Sequence, residues 1–189
     1  MKIMNSKHIK SLYVFDIDDT LFQTTARAKV TNSEGKVKYL NSQELKDFKI
    51  KDDERICFAE FRDSKRFVEE SQPIIPMIKK AQDCIRKTVD GSRTILLTAR
   101  SDFDCKNLFL EYLNSSGLDM NYVYVERAGN LAELKTAEAK KFIISKYLKS
   151  YKYQAAYLFD DSKENILSFL KLNSSFPNII FHPKLVKVY

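Results

Sequence analysis

The sequence predicts an α/β fold: a Rossmann-like three-layer sandwich with a mainly parallel central sheet. Short apolar runs alternate with segments of helical spacing, the pattern of parallel strands joined by crossover helices. Polar clusters directly follow three of these runs, and ligands in open α/β sheets bind beyond the carboxyl ends of the strands. A length of 189 residues suits one domain. We therefore expect residues 1–189 to form a single domain, with a small flap or cap insertion after the first strand at about 23–73.

The first predicted strand is Leu12–Phe15, a short apolar run that ends where the chain becomes acidic. The insertion is irregular and polar, and within it Val30–Val37 is typical of a hairpin with its turn at Asn32–Gly35. Residues 40–66 carry dense charge without a clean period, so we assign them to the flap rather than to a separate domain. The other predicted strands are Arg93–Thr98, Tyr122–Val125, Ala155–Phe159 and Asn178–Phe181.

Helices are predicted where apolar residues recur with a period of about 3.6. Ser101, Thr136 and Ser162 are candidate N-caps, because a side-chain oxygen at that position satisfies a free backbone amide. In the helix after Thr136, Phe142 and Ile143 are expected on the buried face. The predicted helices are Pro76–Val89, a segment from Ser101 to Gly117, a segment that begins at Thr136, and a segment from Ser162 to about Leu172.

Charge and motif content narrow the class of protein. Lysine and arginine number 32 against 25 acidic residues, which gives a net charge of +7. This surplus favours anionic partners, nucleic acid among them, although a lysine-rich surface explains it equally well. No GxxxxGKS or GxxxxGKT sequence is present, so a P-loop kinase is excluded at the level of motif. Three cysteines without CxxC spacing and two histidines argue against a zinc site or a disulfide framework.

The sequence predicts neither a membrane span nor a secretory leader. Crossing a bilayer takes about 18 consecutive apolar residues, and no run approaches that length. The first residues, Met1–His8, lack the apolar core of a signal peptide. We therefore expect a soluble protein of the cytoplasm with no membrane partner, and its oligomeric state stays open.

An acidic sequence directly follows the first predicted strand. Tyr13–Phe15 lead into Asp16, and Asp18, Asp19 and Thr20 come next. A carboxylate is costly to hold beside an apolar sheet unless it is paired or bound to metal. Because side chains alternate along an extended chain, Asp16 and Asp18 are expected on the same side. The stretch therefore indicates metal-assisted phosphoryl transfer.

Polar groups also follow two later strands. Thr98 and Arg100 come at the end of the second predicted strand, and Asp160 and Asp161 at the end of the fourth. In a parallel sheet these groups would meet Asp16 at one edge. Two like charges about 4 Å apart cost about 4 kcal/mol at an effective dielectric constant of about 20, so either protons or a cation must relieve the repulsion. Oxygen ligands without imidazole or thiolate favour Mg²⁺, which Asp16 and Asp160 could hold.

These side chains suffice for the hydrolysis of a phosphate ester. Asp16 is a candidate nucleophile that would form an aspartyl-phosphate. Asp18 is a candidate for protonating the leaving oxygen and then activating water. Thr98 and the amides of the helix predicted at Ser101 are expected to hold phosphate oxygens. Arg100 is expected to bind phosphate with its guanidinium fork.

A lysine ahead of the fourth strand would balance the extra negative charge of the transition state. Three candidates lie in this part of the sequence, Lys135, Lys140 and Lys141. Spacing along the predicted helix favours Lys140, with Lys141 next. Asn165 lies one turn beyond Asp161, where it either hydrogen-bonds the metal-site acids or caps the helix.

The order of these motifs resembles that of the haloacid dehalogenase superfamily of phosphatases. The matching segments are Asp16–Thr20, the strand that ends at Thr98, a lysine near position 140, and Asp160-Asp161. The resemblance implies that Asp16 is the nucleophile and Asp18 the acid/base. It also implies that Mg²⁺ binds Asp16, the backbone carbonyl of Asp18 and an acid of the Asp160-Asp161 pair. Asp19 stands where the family commonly has glycine.

A narrower similarity is to the phosphatase domain of phage polynucleotide kinase/phosphatase and to uncharacterised phage-encoded proteins. The first of these similarities is carried by Thr98-Ala-Arg100, Glu126-Arg127, the spacing from Thr136 to Lys140, and Asp160-Asp161. The second is carried by Phe58–Ser64, Pro73–Pro76 and Thr98–Asp104. Together with Thr98, the candidate substrate-binding residues are Arg100, Arg127 and Lys141. We expect a Mg²⁺-dependent phosphomonoesterase that acts on a polynucleotide end or a nucleotide. A small-metabolite phosphatase and a catalytically retired nucleic-acid-binding module are the alternatives.

Overall fold

The structure is a computed structural model that describes residues 9–187. The segment predicted to lack a leader, Met1–His8, lies outside the described residues. The strands are β1 (Ser11–Phe15), β2 (Phe22–Gln23), β3 (Ala28–Asn32), β4 (Val37–Leu40), β5 (Glu54–Cys57), β6 (Gln72–Pro73), β7 (Arg93–Thr98), β8 (Val123–Arg127), β9 (Ala155–Asp160) and β10 (Ile180–Leu185). The α-helices are α1 (Ser42–Asp47), α2 (Ser64–Glu70), α3 (Ile75–Arg86), α4 (Lys106–Ser115), α5 (Thr136–Ser150) and α6 (Lys163–Leu170).

Five strands form a parallel sheet in the order β10-β9-β1-β7-β8. The middle strand, β1, is buried at every position and pairs with β7 on one side and β9 on the other. A strand buried on both faces needs an unbroken apolar run, which is why Leu12–Phe15 could be recognised from the sequence. The predicted α/β class with a parallel central sheet is confirmed.

The two faces of the sheet carry separate apolar clusters, because side chains alternate along each strand. Tyr13 and Phe15 of β1 belong to the cluster that includes residues of α3 and α4. Leu12 and Val14 belong to the cluster that includes residues of α5 and α6. Helices therefore flank the sheet on both faces, an arrangement compatible with a Rossmann-like sandwich.

Between β2 and β6 the chain forms a second sheet, which is antiparallel and has the order β4-β3-β5. β2 and β6 pair with each other, so this segment leaves the main body and returns to it at adjacent points. The predicted hairpin is present: β3 pairs with β4 across a turn in which Gly35 has a φ of 79°. Helices α1 and α2 were not predicted, although Asn41 and Glu44 form a capping box at the start of α1.

The helix predicted from Ser101 begins later in the chain. Helix α4 starts at Lys106, and Cys105 occupies its N-cap position, so the prediction of Ser101 as the cap is wrong. The loop before α4 is held by tertiary contacts instead, since Oδ1 of Asp104 accepts hydrogen bonds from the amide and the hydroxyl of Ser64. The backbone amides near Ser101 were expected to bind phosphate at the start of a helix. These amides lie in a loop instead.

The other predicted helix features had mixed outcomes. Ser162 is the N-cap of α6, as predicted, and its side chain accepts a hydrogen bond from the amide of Asn165. Helix α5 has no side-chain cap, and Thr136 is its first residue rather than its cap. Phe142 is 44% exposed, so its predicted burial is wrong, whereas Ile143 is buried.

Among residues 9–187, no helix combines the length and apolar character needed to cross a membrane.

Candidate active site

Polar side chains meet at the carboxyl ends of four neighbouring strands. Asp16 directly follows β1, while Thr98, Arg127 and Asp160 are the last residues of β7, β8 and β9. The amide of Asp16 donates a 2.9 Å hydrogen bond to the carbonyl of Phe159. Backbone pairing therefore sets Asp16 beside the end of β9. This is the sheet edge that the sequence predicted for the site.

Three carboxylates converge at this edge. Asp16, Asp160 and Asp161 each offer one oxygen, and these oxygens all lie within 4.8 Å of one another. Asp16 is 4% exposed and Asp160 is fully buried, so water cannot fully screen their repulsion. Asp18 is not part of this group, because its carboxylate turns towards Arg100.

Lys140 is the counterion at the centre of this cluster. Its Nζ lies 2.6 Å from Oδ1 of Asp16 and 2.8 Å from Oδ2 of Asp160, and the lysine is 2% exposed. Burial alone would lower the pKa of Lys140, but the charges of the two aspartates raise it above the usual value, so the ammonium stays protonated. The other two candidates lie elsewhere: Lys135 is exposed and Lys141 pairs with Glu138.

Asp160 is held by α6 as well as by Lys140. Oδ1 of Asp160 accepts a 2.9 Å hydrogen bond from the amide of Ser162. Nδ2 of Asn165 lies 2.9 Å and 3.0 Å from the two oxygens of the same carboxylate. Asn165 thus contacts the acidic cluster, one of its two predicted roles. Groups on α5 and α6 fix the orientation of the Asp160 carboxylate. The Asp16 carboxylate accepts fewer hydrogen bonds than that of Asp160 and is less restrained.

The acidic cluster fits a divalent cation. Burial raises the pKa of the Asp16 carboxyl well above its usual range; the neighbouring charge of Asp160 adds to this, and Lys140 opposes it. Two ammonium groups, Lys140 within the cluster and Lys46 beside Asp161, do not balance three carboxylates, so ionised Asp16 is costly without further positive charge. The donor set is oxygen only, which suits Mg²⁺ better than zinc. Asp16, Asp160 and Asp161 are the residues whose side chains could hold such an ion.

Asp18 is held by Arg100 and Thr98. Nε of Arg100 lies 3.0 Å from both oxygens of Asp18, and Nη2 lies 2.6 Å from Oδ1. The Thr98 hydroxyl donates to Oδ2 of Asp18 at 3.3 Å and accepts from the Arg100 amide at 3.0 Å. Burial would raise the pKa of Asp18, but the charge and hydrogen bonds of Arg100 outweigh it and lower the pKa. Asp18 is therefore ionised in this arrangement.

Arg100 links the sheet to the segment between β2 and β6. Its Nη1 donates to the carbonyl of Phe61 at 2.8 Å, and its guanidinium lies 5.0 to 5.4 Å from the ring centres of Phe61, Phe67 and Phe103. Such contacts with ring faces favour a cation. Arg100 is 4% exposed, and its guanidinium is occupied by its contacts with Asp18 and with the three phenylalanine rings. Its predicted role in phosphate binding stays a prediction.

Arg127 and Lys141 are not part of the acidic cluster. Arg127 is the register partner of Thr98 at the same sheet edge, and its Nε lies 3.4 Å from Oδ1 of Asp102. The turn after it packs tightly, since a Cβ on Gly129 would lie 2.4 Å from the carbonyl oxygen of Ala99. Lys141 pairs with a neighbouring residue on the surface of α5. The substrate-binding roles of both residues stay predictions.

Sequence reasoning missed the contacts that α1 makes with this site. Asp19 has a φ of 55°, the left-handed conformation that favours glycine. Its carboxylate accepts hydrogen bonds from Ser42 and Gln43 at the start of α1. Lys46 of α1 pairs with Asp161. The only local signal was the capping box, which marks a helix start and says nothing of what the helix contacts.

Comparison with known proteins adds no assignment. The chain matches no protein-family model, and no curated protein is significantly similar to it.

Proposed function

We propose that this protein is a Mg²⁺-dependent phosphomonoesterase of the haloacid dehalogenase type. The observation that supports the proposal most is the buried contact of Lys140 with both Asp16 and Asp160, with Asp161 in reach, at the carboxyl edge of the sheet. A buried cluster of charged side chains stabilises a core poorly. It suits a site that binds a divalent cation together with a doubly negative phosphate group. The proposal includes the Rossmann-like sandwich of that family, with residues of about 23–73 as its flap or cap.

In the proposed reaction Asp16 is the nucleophile. Lys140 engages Oδ1 of Asp16, so we assign the attack on phosphorus to Oδ2. The bond from phosphorus to the ester oxygen breaks as the aspartyl-phosphate forms, and the leaving oxygen takes a proton from Asp18. Water then attacks the aspartyl-phosphate, Asp18 takes the proton of that water, and inorganic phosphate leaves with Asp16 regenerated.

Mg²⁺, when bound by Asp16, Asp160, Asp161 or the backbone carbonyl of Asp18, would neutralise negative charge on the protein and the substrate. Lys140 contributes a fixed positive charge, which is worth more in a buried site than in water. Thr98 and Arg100 orient Asp18. Its low pKa suits the step in which it activates water, and the first step requires that it be protonated beforehand.

The substrate we propose is a phosphorylated polynucleotide end or a nucleotide, in the cytoplasm. The net charge of +7 favours an anionic substrate larger than the phosphoryl group itself. The narrower similarity to a polynucleotide phosphatase domain, described above, points to the same class.

A substrate screen tests this proposal. Purified protein is assayed with a generic aryl phosphate, 3′-phosphorylated oligonucleotides, mononucleotides and sugar phosphates, with Mg²⁺ and with a chelator. We expect Mg²⁺-dependent hydrolysis of the aryl phosphate and the highest kcat/KM on the oligonucleotide or a nucleotide. A preference for sugar phosphates would favour the metabolite phosphatase. Absence of turnover on every substrate would contradict the enzyme and favour a nucleic-acid-binding module.

Replacing Arg100 tests the assignment of Asp18 as the acid/base. In Arg100→Gln the pKa of Asp18 should rise, because the neighbouring guanidinium now holds it down. The protonated form of Asp18, which the first step uses, then persists to higher pH, so the basic limb of kcat/KM should move to higher pH. The control is Arg86→Gln, which removes an exposed arginine paired with Asp83. A limb that stays in place or moves to lower pH would contradict the role.

A further inference from the structure

Helix α1 is attached to the site through polar side chains. No residue of α1 is buried, so the helix contributes nothing to either apolar cluster. The hydroxyl of Ser42 donates to Oδ2 of Asp19. Nε2 of Gln43 lies 3.0 Å from the same oxygen and 3.1 Å from Oδ2 of Asp161. An element held by a few polar contacts opens at a lower free-energy cost than one held by core packing.

Lys46 makes the charged part of this attachment. Its Nζ lies 2.5 Å from Oδ2 of Asp161 and 3.0 Å from Oε1 of Gln43. The side chain of Asp161 is only 8% exposed, so its charge is poorly screened by water. Asp161 also supplies one of the three oxygens that converge within 4.8 Å. A single buried carboxylate therefore serves both the candidate cation site and α1.

We propose that Lys46 is an internal counterion which a divalent cation displaces from Asp161, so that binding of the cation and release of α1 are coupled. This inference rests on the metal site of the proposed function. Lys46 supplies positive charge to an acidic cluster in which the three carboxylates outnumber the one ammonium of Lys140. When a doubly charged cation neutralises the cluster in place of Lys46, the ion pair between Lys46 and Asp161 weakens. Helix α1 then loses its charged contact with Asp161.

The proposed competition predicts the direction in which cation affinity changes when Lys46 is replaced. If the ion and Lys46 compete for Asp161, removing the lysine charge must tighten binding of the ion, because linkage between two events is reciprocal. If Lys46 instead orients Asp161 for the ion, removing it must weaken binding. Coupling free energies between sites commonly change affinity by about fivefold or more, which is within reach of calorimetry.

Mg²⁺ titration by calorimetry at fixed pH and ionic strength distinguishes these cases. Lys46→Gln should bind Mg²⁺ about five- to tenfold more tightly than the wild type. The matched control is Lys36→Gln, which makes the same change of net charge at an exposed lysine paired with Glu34, and its affinity should equal that of the wild type. Lys46→Arg, which keeps the charge, should also stay near the wild-type value.

Hydrogen exchange of residues 42–47 provides the second measurement. Mg²⁺ should speed exchange there in the wild type, whereas Lys46→Gln should exchange fast with or without Mg²⁺. Equal or weaker Mg²⁺ binding by Lys46→Gln, or exchange that Mg²⁺ does not change in the wild type, overturns the coupling and leaves the phosphatase proposal standing. If neither the wild type nor Lys46→Gln binds Mg²⁺, the metal site and this inference both fail.

Discussion

Asp16→Asn is expected to lower the turnover of any phosphate ester by more than about 10⁴-fold, as loss of a covalent nucleophile does in other enzymes. The amide keeps the size of the carboxylate and an oxygen that can accept the hydrogen bond from Lys140, but it cannot form the aspartyl-phosphate. Turnover is measured with the best substrate from the screen, under the same conditions as for the wild type.

The fold of Asp16→Asn should survive, and this separates a chemical defect from a structural one. The pKa of Asp16 is raised in the folded protein, so its ionisation opposes folding as the pH rises from the ordinary aspartate pKa towards the raised one. Asparagine carries no such cost. We therefore expect a free energy of unfolding in urea at neutral pH no lower than that of the wild type by more than about 1 kcal/mol.

The control for Asp16→Asn is Asp52→Asn, the same chemical change at an exposed aspartate in the segment between β2 and β6. It should leave both turnover and stability unchanged. Appreciable activity in Asp16→Asn would refute the assignment of the nucleophile, even if the screen had established that the protein is a phosphatase.

Lys140→Met is expected to destabilise the protein by about 3–5 kcal/mol, the usual effect of removing one partner from a buried ion pair. The methionine fills most of the space of the lysine but leaves Asp16 and Asp160 facing each other without their shared counterion. Urea unfolding of the wild type and the variant at neutral pH measures the difference. Turnover should also fall, because the fixed positive charge beside the transferred phosphoryl group is gone.

Acid should reduce the defect of Lys140→Met. Lys140 lowers the pKa of Asp16, so its removal raises that pKa further, and protonation of Asp16 relieves the repulsion at a higher pH. The difference in unfolding free energy between the wild type and the variant should therefore be larger at pH of about 8 than at pH of about 5.

The neighbouring lysine provides the matched control for Lys140→Met. Lys141 pairs with Glu138 on the surface of α5, and a surface pair of this kind contributes at most about 1 kcal/mol. Lys141→Met should therefore unfold close to the wild type. A larger loss from Lys141→Met than from Lys140→Met would contradict the assignment of the buried counterion.

The strands and their polar ends could be predicted because the signals are local. Asp16, Thr98 and Asp160 each stand at the end of an apolar run, and parallel topology alone carries them to one edge. Helical spacing favours Lys140 among the three candidate lysines, and in the structure Lys140 is the one that contacts Asp16 and Asp160. Successive residues of a helix point about 100° apart, so when Lys140 faces the sheet Phe142 faces water, even though hydrophobicity alone favours burying the phenylalanine.

The features that were missed depend on contacts between distant parts of the chain. Ser101 looks like a helix cap, yet the loop from 99 to 105 is shaped by the hydrogen bonds of Asp104 with Ser64 and by close packing of Gly129 against Ala99. Helix α1 buries no residue, so no apolar period marked it. Its role at the site depends on which acids it reaches, and sequence spacing carries no information about that.

The position of β1 in the middle of the sheet has a consequence for how the protein acquires its site during synthesis. The two residues of the buried ion pair, Asp16 and Lys140, are separated by 124 positions. β1, which Asp16 directly follows, is synthesised well before its neighbour β9, which ends only at Asp160. Pairing over such a separation is slow, because the loop must close before the contact stabilises it. The side of β1 that pairs with β9 therefore stays unpaired until β9 has been made, and a chain stalled before β9 cannot assemble the site.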